Sequence, residues 1–282
     1  MADSAIDFAR DFPGLAQDVH GVRLAYLDNA ATTHMPNEVL DAVRDFETTS
    51  RANIHRVVHT LSQRATDAFD GAREQLKRFV GAGPAHELVF TSGTTEALNL
   101  VAHGLSDAGL GRPVLAAGDE IIVTALEHHA NFVPWQAAAR RSGAVLRVVR
   151  PDPEGRLHTE ALARLLGPRT RVFAVTAGAN ASGERPPFEA LLKMAADAGA
   201  MTVLDAAQAV GHEVPDLSSL ACDFMAFSGH KMLGPTGIGA LYGRRDLLAA
   251  LPPFLTGGSM IETVTMETAT YAAPPQRFEA GT

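Results

Sequence analysis

The chain has 282 residues, a formal net charge of −8, 46% hydrophobic residues and 20% charged residues. These proportions are typical of a globular protein, and the negative charge argues against a nucleic acid as the natural partner. The single cysteine excludes an intrachain disulfide framework.

The N-terminal residues do not resemble a secretion signal. The run Met-Ala-Asp-Ser-Ala-Ile-Asp is acidic and lacks the basic start and apolar core of such a signal. No apolar run approaches the length that spans a membrane. We therefore expect no membrane association and a cytoplasmic location, where a lone reduced cysteine is ordinary.

Strands and helices alternate along the chain, which predicts an α/β fold with a mainly parallel sheet of seven strands flanked by helices. Helical patterns cover residues 36–48, 61–80, 95–105, 131–141, 159–166 and 188–198. Apolar strand candidates are 88–90, 120–124, 145–149, 172–176, 201–205, 224–227 and 239–242. Glycine-containing stretches at 106–118 and 151–155 predict loops.

The first motif, Ser-Gly-Thr-Thr-Glu at 92–96, follows a predicted strand. Thr94 and Thr95 would open a helix whose free N–H groups and dipole favour an anion such as a phosphate. The alternative is an ordinary capping box without any ligand.

Two adjacent histidines, His128 and His129, follow Glu127. Histidine and glutamate are common metal ligands, but neighbours on an extended segment point in opposite directions and do not easily share one ion. No HExxH spacing is present. We expect no metal site here.

Asp205 ends a short apolar strand, and Gln208 follows three residues later. A carboxylate facing the ring nitrogen of pyridoxal phosphate keeps that nitrogen protonated, which makes the ring an electron sink. The alternative for Asp205 is a helix N-cap. The lysine described next favours the cofactor role.

Lys231 lies in Ser-Gly-His-Lys at 228–231, directly after an apolar strand candidate. A lysine at a strand end of a parallel sheet lies where such folds bind ligands, and its amine can form a Schiff base with a carbonyl cofactor. Ser228 and His230 can donate hydrogen bonds to a phosphate. The alternative is a lysine on a surface loop.

Taken together, these motifs resemble the class V aminotransferases, and among them the Suf-type cysteine desulfurases. The resemblance extends from about residue 8 to the last residue, in the family's order. The segments that carry it are Tyr-Leu-Asp-Asn-Ala-Ala-Thr-Thr at 26–33, the run at 55–62, Ser-Gly-Thr-Thr-Glu at 92–96, Glu-His-His-Ala-Asn at 127–131, Asp-Ala-Ala-Gln at 205–208, Ser-Gly-His-Lys at 228–231 and Arg-Phe-Glu-Ala-Gly-Thr at 277–282.

The resemblance implies a fold-type I transferase that binds pyridoxal 5'-phosphate. Lys231 would carry the cofactor and move protons at the substrate's α-carbon. Asp205 would pair with the ring nitrogen and Gln208 with the phenolic oxygen. His128 would stack on the ring as a second catalytic residue.

The remaining roles also come from the resemblance. Thr94, Thr95, Ser228 and His230 would hold the phosphate, and Thr282 would reach the phosphate of a partner subunit in a homodimer. Residues at the substrate would be His55, Arg56 and Asn180, the last also bordering the cofactor. The stretch at 252–261 would help to form the dimer interface.

Two departures from the family pattern stand out. Suf-type members usually carry His-Val-Ser before the substrate-side asparagine, whereas this chain has Ala177-Gly178-Ala179 before Asn180. The loop cysteine and the later arginine of the family lie beyond the segment that matches 277–282. Cys222 enters a predicted strand, where we expect a small buried hydrophobe and no reactive thiolate.

The expected organisation is an N-terminal segment at 1–25, a large cofactor domain at 26–282 and no C-terminal small domain. The expected function is a cysteine desulfurase that converts L-cysteine to L-alanine and passes sulfur, as an enzyme persulfide, to an acceptor protein for iron–sulfur cluster assembly. The alternatives are another class V enzyme (selenocysteine lyase, aminotransferase or epimerase) and a truncated non-catalytic paralogue.

Overall fold

A sheet of seven strands forms the centre of the chain in a computed structural model that describes residues 9–55, 59–107 and 114–281. The strands are β1 (His86–Thr91), β2 (Glu120–Thr124), β3 (Val145–Val149), β4 (Thr170–Thr176), β5 (Met201–Asp205), β6 (Phe224–Ser228) and β7 (Gly239–Arg244). Their spatial order is β1-β7-β6-β5-β4-β2-β3.

The mainly parallel sheet predicted from the sequence is confirmed. Strands β2 to β6 pair in parallel with their neighbours among themselves. Only β7 runs the other way, antiparallel to both β1 and β6. The carboxyl ends of β1, β2, β4, β5 and β6 therefore lie at one edge of the sheet.

Helices cover both faces of the sheet. They are α1 (Asn37–Thr49), α2 (Thr60–Phe79), α3 (Thr94–Ser106), α4 (Val133–Ser142), α5 (Thr159–Ala163), α6 (Phe188–Asp197) and α7 (Arg245–Ala250). Successive residues of β2 face opposite sides, because side chains alternate along a strand. Ile122 joins the core formed with α5 and α6, whereas Ile121 and Val123 join the core formed with α3 and α4.

The structure corrects several element boundaries. The helix predicted at 131–141 is a 3₁₀ turn (His129–Asn131) followed by α4, whose first turn contains Pro134. A helix cannot continue through proline from the preceding turn, since proline lacks the N–H and clashes with that turn. The helix predicted at 159–166 ends at Ala163.

Some elements were not predicted. They include the short α7, three 3₁₀ turns (Pro13–Leu15, Gly229–Lys231 and Gln276–Phe278) and two hairpins, Asp18–Val19 with Val22–Arg23 and Ile261–Val264 with Ala269–Tyr271. The loop predicted at 151–155 is confirmed. In the loop predicted at 106–118, Ser106 ends α3, and residues 108–113 lie outside the described residues. Within the described ranges, none of the helices combines the length and the apolar composition of a membrane-spanning segment.

A buried ion pair fastens the C-terminal segment to the sheet. Both guanidinium Nη atoms of Arg73 donate to the carboxylate of Glu279 at 2.8 Å, and Arg73 also donates to the Leu88 carbonyl. Glu279 accepts a further bond from the backbone N–H of Phe90 at 2.7 Å. The Arg73 guanidinium lies over the rings of Phe69 and Phe90. The pair thus joins α2, β1 and the residues near 280.

Arg73→Leu should lower the free energy of unfolding by about 3 kcal/mol, because it leaves Glu279 buried without its cation. Arg44→Leu is the matched control: Arg44 also lies on a helix, but its pair with Asp41 is exposed. Arg44→Leu should lower the free energy of unfolding by less than about 0.5 kcal/mol. Urea denaturation of the wild type and of the two variants measures both changes in the free energy of unfolding. Equal losses in the two variants would contradict the prediction.

Candidate functional site

The polar residues that follow the parallel strands surround one cavity of about 330 Å³. It lies at the edge of the sheet where ligands of such folds bind. Nine of the residues predicted from the sequence line it: Thr94, Thr95, His128, Asn180, Asp205, Gln208, Ser228, His230 and Lys231. Two other predicted residues, Arg56 and Thr282, lie outside the described residues.

Asp205 and Lys231 provide opposite charges in this cavity. Asp205 is only 3% exposed. Burial raises the pKa of its carboxyl, while Lys231 and His128 act in the opposite direction. Desolvation lowers the pKa of the Lys231 amine, and Asp205 opposes that shift. Asp205 Oδ1 accepts the Ala207 N–H at 3.0 Å, and no helix starts there.

A hydroxyl-lined turn closes another side of the cavity. Ser228 Oγ accepts the Thr94 N–H at 2.8 Å and lies 2.6 Å from Thr94 Oγ1. Glu96 accepts the Ser92 N–H at 2.6 Å, but the N-cap is Gly93, which makes no side-chain cap bond, so the capping box weighed from the sequence does not form. The N–H groups of Thr95 and Glu96, in the first turn of α3, have no intrahelical acceptor and can serve an anion.

Two glycines allow this turn to approach β7. Gly93 has a φ of +153°, a region that favours glycine. A Cβ on Gly239 would lie 2.5 Å from the Gly93 Cα, closer than any real contact. The close approach brings the start of α3 beside Ser228.

The segment at 30–33 is hydrogen-bonded to the cavity residues. Gln208 Nε2 donates to the Ala30 carbonyl at 2.8 Å. The carbonyl of His230 accepts the Thr33 N–H at 2.8 Å, and His230 Nδ1 lies 3.2 Å from Thr32 Oγ1. Desolvation is the larger cause and the charge of Lys231 the smaller cause of a lowered pKa of His230. The lowered pKa favours the neutral form of this histidine.

His128 is oriented by its own backbone turn. Its Nδ1 accepts the Ala130 N–H at 3.1 Å, and its carbonyl accepts the Asn131 N–H at 2.8 Å. In the neutral ring the proton is therefore assigned to Nε2. His129 does not line the cavity.

Glu127 makes hydrogen bonds that the local sequence pattern did not indicate. The sequence suggested it only as a metal ligand. Its Oε1 accepts bonds from Thr124 Oγ1 at 2.6 Å and from the Thr176 N–H at 3.0 Å. Its Oε2 accepts from Asn131 Nδ2 at 2.6 Å. Desolvation raises the pKa of Glu127 to about 8, and the nearby Asp205 adds to the shift. A threonine at the end of each of two strands, Thr124 and Thr176, is the sequence signal that could have suggested these bonds.

His55 lies apart from the cavity that contains Lys231. It lines a separate cavity of about 830 Å³ together with Phe69, Phe90, Glu96 and Leu255. Its Nε2 lies 3.2 Å from Asp70 Oδ1. The structure of this chain therefore does not bring His55 to Asn180, although the sequence predicted both at the substrate.

Cys222 is buried, as expected. Its Sγ donates to the Phe224 carbonyl, and burial raises the pKa of the thiol far above its ordinary value. A buried thiol with such a pKa is a poor nucleophile. Within the described residues, no group of three or more His, Cys, Asp or Glu side chains could hold a metal ion.

The residues present fit pyridoxal 5'-phosphate. One cavity offers an amine for covalent attachment, a buried carboxylate for a ring nitrogen, and hydroxyl and N–H donors at a helix start for a phosphate. These three chemical groups are the ones that such a cofactor needs.

Comparison with known proteins gives a consistent result. The family described as Aminotransferase class-V matches residues 25–282. A probable cysteine desulfurase 2 of Mycobacterium leprae is 50% identical over 273 residues, which are 96% of this chain and 65% of that protein. The chain thus spans less than two thirds of that relative's length.

Solved structures agree with this similarity. The apo structure of a cysteine desulfurase from Thermococcus onnurineus NA1 has a TM-score of 0.88 at 39% identity, covering 98% of this chain and 66% of that one. A structure of SspA in complex with cysteine has a TM-score of 0.75 at 26% identity, covering 90% of this chain and 70% of that one.

The setting of Glu127 predicts a pH-dependent contribution to stability. Its carboxyl has an ordinary pKa of 4.5 and a folded-state pKa of about 8, so the folded chain binds the proton more tightly between these values. The stabilisation that this proton gives the folded chain is complete below pH 4.5 and is lost as the pH rises through about 8. The free-energy difference between wild type and Glu127→Gln should therefore fall with rising pH, by at most about 1.4 kcal/mol per pH unit. Urea denaturation from about pH 5 to about pH 8 measures it; a pH-independent difference would be evidence against the shift.

Proposed function

We propose that this chain, which belongs to the class V aminotransferase family, is the cofactor-binding part of a cysteine desulfurase. Enzymes of this family depend on pyridoxal 5'-phosphate. The observation that supports the proposal best is the convergence of Lys231, Asp205 and the Thr94–Ser228 pair on one cavity. The similarity to cysteine desulfurases, and to a protein solved with cysteine, supports the substrate.

When bound, pyridoxal phosphate supplies an electron sink for charge that develops at the α-carbon of an amino acid. Asp205 would keep its ring nitrogen protonated, since a buried carboxylate favours the charged partner. Lys231 would hold the cofactor covalently. Its lowered pKa increases the fraction of free amine, which can then accept and return a proton at the substrate's α-carbon.

The other cavity residues would position the cofactor. Thr94, Thr95 and Ser228 would bind the phosphate at the start of α3, with the neutral His230 as a further donor. Gln208 already uses one N–H on Ala30 and can offer its second to the phenolic oxygen. His128 would stack on the ring. Asn180, which is exposed at the cavity, would contact the ring and the substrate.

The sulfur chemistry would need a cysteine other than Cys222, because that thiol is buried. We propose that the attacking thiolate belongs to a cysteine in the region of the relatives that this chain does not cover. That thiolate attacks the sulfur of the substrate. As the new sulfur–sulfur bond forms, the carbon–sulfur bond breaks, its electron pair passes to the substrate's β-carbon, and that carbon takes up a proton, so that the products are an enzyme persulfide and L-alanine. An acceptor protein would take the sulfur for iron–sulfur cluster assembly in the cytoplasm.

We further propose a homodimer, with Thr282, Arg56 and His55 acting at or near the partner's site. His55 borders the cavity of about 830 Å³ that also contains Leu255 and Ile261, from the stretch predicted at the dimer interface. The separation of His55 from Lys231 within one chain is consistent with a role across subunits.

A second candidate is another reaction on the same scaffold: selenocysteine lyase, aminotransferase or epimerase. The observation that favours it is a cavity of about 290 Å³, lined by Ala177, Ala179, Arg185 and His212, which shares Asn180 and other residues with the Lys231 cavity. The small residues at 177–179 leave space beside Asn180. A non-catalytic paralogue remains the alternative outside enzyme function.

Lys231→Ala should abolish the covalent cofactor adduct. The chain has only three lysines, Lys77, Lys193 and Lys231. Borohydride reduction of the chain incubated with pyridoxal phosphate, followed by peptide mass mapping, should place the label on Lys231. Lys193→Ala, at an exposed helix position paired with Asp197, should label as the wild type does. A label that persists in Lys231→Ala would refute the assignment.

The substrate is tested by product analysis. The chain, and the longer protein if its gene continues in frame, should be incubated with cysteine, selenocysteine and a panel of other amino acids. In the longer protein we expect alanine and persulfide sulfur from cysteine, and no keto acid. Keto acid from the panel would indicate an aminotransferase, and racemised amino acid an epimerase. Selenocysteine turnover without cysteine turnover would indicate a lyase.

A further inference from the structure

We propose that Glu127 is a positioning residue that fixes the location and the tautomer of His128 in the cavity. The functional meaning of this inference rests on the proposed function, because His128 would touch the cofactor. The structural part concerns the chain's own residues and can be tested without any cofactor.

Glu127 joins three separate elements at the carboxyl edge of the sheet. Its donors are the hydroxyl of Thr124 at the end of β2, the backbone N–H of Thr176 at the end of β4, and the amide of Asn131 in the 3₁₀ turn. All the bonds are between 2.6 and 3.0 Å. The carboxyl thus fastens the 3₁₀ turn, of which His128 is the N-cap, to two neighbouring strands.

Two of the three groups that donate to Glu127 cannot act as acceptors in these bonds. The Thr176 N–H belongs to the backbone. Asn131 must present its NH₂ group to Glu127, because its Oδ1 accepts the indole N–H of Trp135 at 3.0 Å, and Trp135 is fully buried. Both oxygens of residue 127 must therefore accept a hydrogen bond.

Only a carboxyl group meets this requirement. The ionised form accepts at both oxygens. The protonated form also fits, since an Oε1–H can donate to Thr124 Oγ1 while Oε1 still accepts from Thr176. A glutamine would place its NH₂ group against the Thr176 N–H or the Asn131 NH₂, so that two donors would face each other.

The same turn sets the imidazole of His128. Asn131, held by Glu127, donates its backbone N–H to the His128 carbonyl, and Ala130 donates to His128 Nδ1. A displaced Asn131 would loosen the turn between them. His128 Nδ1 would then lose its fixed donor, and the proton would no longer be restricted to Nε2.

The test compares Glu127→Gln with Glu120→Gln. Glu120 starts the strand that Thr124 ends, is 4% exposed, and is paired with Arg147 and Arg169. Both substitutions replace a carboxyl group that is hydrogen-bonded to protein donors, but Glu120 does not line the Lys231 cavity. Circular dichroism and thermal melting establish that each variant is folded.

The decisive measurement is ¹⁵N NMR of the histidine rings in the cofactor-free protein. The resonance that disappears in His128→Gln is assigned to His128 among the 11 histidines. We expect a single Nε2–H tautomer in the wild type and in Glu120→Gln, and a mixture of tautomers in Glu127→Gln. Titration with pyridoxal phosphate, followed by absorbance, should show binding weaker by about tenfold in Glu127→Gln alone.

An unchanged His128 tautomer in folded Glu127→Gln would overturn the proposal, as would an equal change in Glu120→Gln. If Glu127→Gln does not fold, Asn131→Ala removes one of the three bonds and must produce the same tautomer mixture. Absence of pyridoxal phosphate binding in the wild type would refute the proposed function, while the NMR result would still decide the role of Glu127.

Discussion

The parallel direction of β2, β4, β5 and β6 is the constraint on which the site depends. Parallel pairing places the carboxyl ends of these strands at one edge, and each strand there is followed by a polar residue of the cavity. The antiparallel β7 contributes differently. Its first residue, Gly239, has no side chain, so the turn at Gly93 can lie against it. Topology thus gathers groups that are more than a hundred residues apart.

Desolvation gives these groups their chemical character. Burial raises the pKa of Asp205 and Glu127 and lowers that of Lys231, and the attraction between Asp205 and Lys231 limits both of their shifts. Two carboxyls near one another need different surroundings to perform different tasks. Asp205 faces the cavity with the lysine, whereas both oxygens of Glu127 are occupied by protein donors.

Two features lie beside the cavities of this chain. The small residues at 177–179 open space beside Asn180, in a region where the resemblance led us to expect larger side chains. The Arg73–Glu279 pair holds the last described residues against β1, next to the cavity that contains His55. The first feature borders the Lys231 cavity, and the second borders the cavity that contains His55.

The sequence by itself determined the sheet, most of the helices and nine residues of the Lys231 cavity. Strands β2, β3 and β5 were predicted to the residue. Apolar runs such as those of β2 and β5 are typical of buried parallel strands, whereas β3 is a partly exposed edge strand. The six-residue α7 was missed because so short a segment has little periodicity. Only the tertiary structure decided that His55 lies in another cavity and that Glu127 joins three elements. Those contacts join residues from distant segments of the chain. Local sequence patterns do not predict which distant residues a fold brings into contact.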